Sequence, residues 1–185
     1  CQIVDEAIAK GCNLIVSHHP LIFRKLARIT GEDYVQQAVM KALANNIAII
    51  SMHTNMDNAR GGVNFRIARK MGLKNVRFMS AKTVDGVECG SGVVGELEEP
   101  MAADDFIIML KKTFGVECVE VNQLLRRPIS TVAMCGGSGS FLLDEAVAVG
   151  ADAFLTGEMH YHEFFGREQQ IQIAVIGHYQ SEQFT

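Results

Sequence analysis

The chain has 185 residues, of which 48% are hydrophobic, 21% charged and 7% aromatic, with a net charge of −4. Such a composition is too apolar for a disordered chain and holds one ordinary domain or two small interlocked lobes, with no apolar run near the ~18 residues of a membrane span. The five cysteines, at 1, 12, 89, 118 and 135, are odd in number and lack C-x-x-C spacing, which argues against a disulfide framework and for a reducing, cytoplasmic setting.

Val4, Ala7 and Ile8 have helical spacing, so the chain is expected to open on a helix, without a signal peptide. Leu14–Ser17 reads as a strand. Glu32–Asn46 reads as a helix with Val35, Ala38, Val39, Ala42 and Leu43 on one face. Ile47–Met52 is a continuous apolar run, as expected of a parallel strand buried on both faces. Gly62–Met71 reads as a helix stopped near Gly72. In the acidic middle, Ala103–Phe114 reads as a helix and Val116–Val121 as a strand. Ser130–Met134, Asp152–Thr156 and Gln172–Ile176 read as strands, with helices at Ser140–Val149 and Tyr161–Gln169. Gly177 to Thr185 reads as a strand end entering a helix. The alternation predicts an α/β fold with mostly parallel or mixed sheets flanked by helices. Three segments are drawn: 1–82 as a first α/β lobe, 83–128 as an acidic second-lobe segment, and 129–185 as the segment completing the site. A start and stop in mid-unit suggest a fragment trimmed at both ends.

The chemistry collects behind the strands. His18-His19-Pro20, His53-Thr54-Asn55-Met56-Asp57, Cys135-Gly136-Gly137-Ser138-Gly139, Gly157-Glu158-Met159-His160-Tyr161-His162 and Gly177-His178-Tyr179-Gln180-Ser181-Glu182 each follow one. All six histidines thus fall just past a strand's carboxyl end, the edge where an open parallel sheet forms its ligand crevice. Imidazole with carboxylate suits Zn, Fe, Mn or Ni. His18 and His19 leave their strand just before Pro20, where they can splay toward two ions. His178 and Glu182 share a helix face at i, i+4. His53 and Asp57 have the same spacing in a loop-like stretch, where one of them ligates. Several histidines with a bridging carboxylate are the stock of a two-metal site. His160 and His162 are candidate proton carriers, expected outside the ligand set. Cys135 reads as a buried small residue rather than a nucleophile. The backbone of Gly136, Gly137, Ser138 and Gly139 is a candidate anion or phosphate cradle.

Taken together, the SHHPLIF, HTNMD–GGVN, CGGSGS, TGEMHYHEF and GHYQSE motifs resemble the Nif-three-like family, also called GTP cyclohydrolase I type 2 homologues, over nearly the whole chain. The resemblance implies two interlocked α/β lobes, a pair of divalent metals per subunit and a ring-shaped homohexamer. It implies His18, His19, Asp57, His178 and Glu182 as the ligands, with Glu182 bridging. It also implies further elements before Cys1 and after Thr185, and hence a loosely held Glu182 helix in this fragment. Val84 to Gly95 leaves no room for the inserted domain of longer members. The implied reaction is metal-dependent hydrolysis at the purine imidazole carbon of GTP.

Charge supplies the rival reading. Asn58 to Val84 carries seven bases and no acid, while Asp85 to Glu120 carries nine acids against Lys111 and Lys112. Arg66, Lys70 and Lys74 have the spacing of a helical stripe, suited to nucleic acid or to the acidic block of a neighbouring subunit. A non-catalytic, metal-stabilised ring binding nucleic acid or a regulatory protein is therefore the alternative function. Metal storage or delivery is a third.

Overall fold

The computed structural model describes residues 1–184; the sequence expectations placed on Thr185 lie outside them. The chain forms two compact units, Cys1–Met56 and the remainder from Asp57 onward.

In the first unit the order is α1 (Gln2–Ala9), β1 (Leu14–Ser17), α2 (Tyr34–Ala44) and β2 (Ala48–Ser51). β1 and β2 pair in parallel, Leu14 opposite Ala48 and Ser17 opposite Ser51. α2 starts where Asp33 caps it, its carboxylate accepting from Gln36 N at 2.9 Å, while Gln36 Oε1 turns back onto Thr30 N at 2.7 Å. The Asp33 cap satisfies one of the donors that the first turn leaves open, and the Gln36 side chain ties the preceding loop to the helix start. Val4, Ala7, Ala38, Ala42 and Ile47 form the core, with Ile15 and Ile49 packed against it. The expectation that 47–52 is buried on both faces does not hold. β2 alternates, leaving Ile50 49% exposed, because helices cover only one face of this two-stranded sheet. Leu43, assigned to the apolar face of α2, is exposed as well.

α3 (His53–Asp57) makes a single helical turn of the HTNMD stretch, where a loop was expected. The second unit continues with α4 (Val63–Lys70), β3 (Lys74–Val84), β4 (Val87–Met101), α5 (Ala103–Phe114), β5 (Glu120–Val121) and β6 (Ile129–Cys135). A 3₁₀ turn at Ser140–Leu142 leads into α6 (Leu143–Ala148). β7 (Ala153–Thr156), a 3₁₀ turn at Tyr161–Phe164, β8 (Gln172–Val175) and α7 (His178–Glu182) follow. The six-stranded sheet has the order β3-β4-β6-β7-β8-β5, with β6, β7 and β8 parallel and the other pairs antiparallel. α4 and α5 cover one face through Val63, Ile67, Phe106, Leu110 and Phe114. Leu142, Leu143 and Ala146 cover the other. Every residue of β7 and β8 is buried, the polar Thr156 and Gln172 included, as expected of parallel strands covered on both faces.

The main departure lies in the middle. β3 and β4 form a long hairpin closed by Asp85 and Gly86, both at positive φ (49° and 79°), as a two-residue type I′ turn demands. The end of the basic block and the start of the acidic block are thus the two arms of one hairpin, and the limits drawn at 82/83 and 128/129 fall inside the second unit. α4 ends at Lys70 and Lys74 opens β3, which breaks the supposed basic stripe. β5 is only two residues long because a side chain takes over its pairing. Asn122 Oδ1 accepts from Ile173 N at 2.9 Å and its amide donates to Ile171 O at 3.0 Å. The helix expected over Tyr161–Gln169 shortens to one 3₁₀ turn, since Phe165 is extended and Gly166 and Gln169 have positive φ.

Candidate metal centre

The parallel strands β6, β7 and β8 end side by side, so the loops behind them stack at one edge. Gly137 O accepts from Gly157 N and Glu158 N, each at 2.9 Å, and Ser181 Oγ accepts from Gly137 N at 3.0 Å while donating to His178 O at 2.7 Å. Asn64 Oδ1 accepts from Gly136 N at 2.9 Å and its amide donates to Asp57 O at 3.0 Å. These bonds draw Asp57, His178 and Glu182 toward one loop.

His178 spans two carboxylates. Its Nδ1 lies 2.8 Å from Glu158 Oε1 and its Nε2 lies 3.2 Å from Glu182 Oε2. A neutral imidazole has one N–H. With that proton on Nδ1 and given to Glu158, the Nε2 lone pair faces a carboxylate oxygen, an arrangement that a shared proton or a metal cation relieves. The position of Glu182 is enforced by the absence of a side chain at Gly137. A Cβ there would run into Glu182 Oε1 and approach His178 Nε2 to 3.1 Å, and the backbone sits at φ 63°. α7 is further secured by Phe184, whose ring lies under Lys70 Nζ at 3.8 Å. The side chains of α7 meet two loops, Ser181 at Gly137 and His178 at Glu158.

In the first unit, His18 and His19 leave β1 with ring centroids 4.6 Å apart and nearly perpendicular. His53, just past β2, places its ring 5.8 Å from His18 and 5.5 Å from His19. Its N–H donates to His18 O at 2.8 Å, and its φ is 37°. Left-handed backbone at a residue other than glycine is costly and gathers at functional sites.

The entire chain, residues 1–185, matches the Duf34/NIF3 (NGG1p interacting factor 3) family. The chain belongs to that family. Over 183 residues it is 31% identical to a Clostridium acetobutylicum protein named GTP cyclohydrolase 1 type 2 homolog, covering 98% of this chain and 68% of the relative. A Clostridium perfringens protein of the same name is 33% identical, with 98% and 69% coverage. A Staphylococcus aureus protein of solved crystal structure superposes with a TM-score of 0.86 at 29% identity, covering 97% of this chain and 71% of that one. The mixed α/β architecture is thus that of the NIF3 family, and among the described residues no helix is long and apolar enough to cross a membrane.

Within this NIF3-family chain the other candidates separate. The Gly136–Gly139 loop does not offer a row of free N–H groups to an anion, because Gly136, Gly137 and Gly139 donate to Asn64, Ser181 and Thr156. It is a clamp that seats α7 and β7. Cys135 is buried, and burial first, then the charges of Asp57 and Glu182, push its thiol pKa up to about 12, which suits an inert packing residue. His160 and His162 are exposed and stacked, with ring centroids 5.8 Å apart, and the Glu163 carboxylate accepts from His160 N at 2.7 Å. Sequence reasoning passed over Glu158, Asn64 and Ser181. For Glu158 a signal existed, since a carboxylate beside a ligand histidine commonly fixes its tautomer, but the partner lies twenty residues away in sequence.

Proposed function

We propose that this chain carries a dinuclear divalent-metal centre (Zn, Fe or Mn) and is the metal-binding portion of a metal-dependent hydrolase. The ligands assigned are His18, His19, Asp57, His178 and Glu182, with Glu182 bridging. The observation that supports this most is the Glu158–His178–Glu182 row. A carboxylate orders the imidazole from behind, and its remaining nitrogen is turned to a second carboxylate over a glycine that leaves room for nothing else. This donor set, imidazole and carboxylate without thiolate, fits the borderline divalent metals. A cation held there supplies Lewis acidity and brings the ionisation of water toward neutral pH. The chain's own part is to hold that cation through a fixed imidazole tautomer and to present the Asp57 and Glu182 carboxylates to it. Glu158 is the positioning group. The names of the Clostridium relatives favour a nucleotide substrate; the cytoplasmic setting, from the cysteine usage, and the ring-shaped homohexamer, from the family resemblance, are the further expectations for the full-length protein.

The test is metal content by elemental analysis after chelation and reloading, followed by turnover on nucleotides, phosphoesters and peptides with each metal. Two ions per chain, with loss of at least one in His19→Ala and His178→Ala, supports the site. Unchanged stoichiometry in both variants overturns it. Two ions without turnover on any substrate class would favour the non-catalytic scaffold, and labile metal without turnover a storage role.

A further inference from the structure

Beside His178 lies a cleft of about 510 Å³, a size typical of small-ligand sites. Its floor is Gly157, Val175, Ile176 and Gly177 at the carboxyl ends of β7 and β8, and one wall is the 115–120 segment behind α5. Open parallel strands receive their ligands at this edge. Its polar character is one-sided. Glu117, Glu120 and Glu158 line it, and no Lys, Arg or His does. Glu117 and Glu120 make no ion pair among the described residues.

Part of the backbone at the floor is already spent. The N–H groups of Gly157 and Glu158 at the floor are both given to Gly137 O, and that of Ile176 goes to Thr156 O. A phosphate is held best by cationic side chains; the cleft presents three carboxylates, the Gln180 amide and apolar surface from Val116, Met159, Val175 and Ile176 instead. We propose that the cleft binds a small organic cation, an amine or guanidinium compound with an apolar body, and excludes nucleoside polyphosphates. The two unpaired carboxylates Glu117 and Glu120 take the charged group, and Glu158 links the bound ligand to the orientation of His178. The cleft is a binding site beside the one assigned above and stands without the hydrolase reading and its nucleotide substrate.

Cys118 provides a reporter, because its exposed thiol lines the cleft, whereas exposed Cys12 lies in the first unit. The experiment is iodoacetamide alkylation of the chelator-treated protein, with peptide mass spectrometry giving the rate at each cysteine. The probes are agmatine, arginine methyl ester, spermidine, GTP, ATP and sodium chloride at matched ionic strength. At least one amine or guanidine is expected to slow Cys118 saturably and leave Cys12 unchanged, with no effect of GTP, ATP or salt. Glu117→Gln with Glu120→Gln is expected to raise the half-protecting concentration about tenfold or more, the scale of a lost charge-assisted hydrogen bond. Both residues are exposed, and circular dichroism checks that the variant folds. Protection by GTP, protection matched by salt, protection unchanged in the double variant, or no protection by any of the cations overturns the proposal. None of these readouts involves metal or turnover, so they are decided separately from the hydrolase reading.

Discussion

Replacing Glu158 with Ala removes the acceptor for His178 Nδ1 and nothing in the core. Glu158 is 55% exposed and His178 33% exposed at the side chain, so their 2.8 Å contact is a surface pair. Such a pair contributes about 0–1 kcal/mol to folding. For a chain of this size that is a melting shift of at most about 4 °C. Its effect on metal is of another order. Partners behind a ligand imidazole are worth about 10–100-fold in affinity, or about 1.4–2.8 kcal/mol, because the freed ring can rotate and change tautomer. Glu158→Ala should therefore lose one to two decades of affinity at the site His178 serves, with a nearly unchanged apo melting temperature. Glu158→Gln, whose amide oxygen still accepts from Nδ1–H, should fall between. Competition titration against a chromophoric chelator measures the affinity, and scanning fluorimetry of the stripped protein measures the stability. Wild-type affinity in Glu158→Ala, while His178→Ala loses the ion, would refute the ordering role. A metal loss that merely tracks a large drop in stability would refute it equally.

Gly137→Ala should weaken metal binding more than Glu158→Gln, since the new Cβ displaces Glu182 and meets His178 Nε2; the same titration reads it. His53→Gly suits the φ of 37° but removes the ring from His18 and His19. It should unfold in urea about 1 kcal/mol later than His53→Ala, and both should bind metal more weakly than wild type. Asp152, 16% exposed, has its pKa held low: burial acts to raise it, but the N–H groups of Thr131 and Ser130 and the Arg127 guanidinium outweigh that. A depressed folded pKa means that its stabilisation is complete above about 3.9, the unfolded value, and is lost as pH falls through the lower folded one. Asp152→Asn should thus cost about 1 kcal/mol in urea unfolding at pH 7, and the gap to wild type should close below that range. Cys135 should resist alkylation at neutral pH in the folded protein while Cys118 reacts, as peptide mapping would show.

Some of this molecule was legible from local chemistry. β1 over Leu14–Ser17 and α5 over Ala103–Phe114 appear with the bounds that apolar period alone indicated, because each buries a face by its own repeat. The carboxyl-end positions of all six histidines also followed from strand recognition, for parallel strands leave their chemistry at one edge. β4 was not legible. Val87–Met101 contains Gly90, Gly92, Gly95, Pro100 and four glutamates, residues that individually disfavour a strand. It forms because β3 and β6 flank it, and its glycines are needed there: a Cβ at Gly90 would strike Ser80 O, and one at Gly92 would meet Leu142 Cδ1 at 3.0 Å. Likewise, Glu158 and His178 meet only because β7 and β8 run parallel in register, Thr156 opposite Val175. The closing of the Gly136–Gly139 N–H groups depends on Asn64, Ser181 and Thr156 arriving from three other elements. Sequence determined which side chains reach the sheet edge, because period and turn residues act within a few positions. Tertiary pairing decided which of their hydrogen bonds remained for a ligand, because a donor is spent by whichever partner the fold brings within 3 Å.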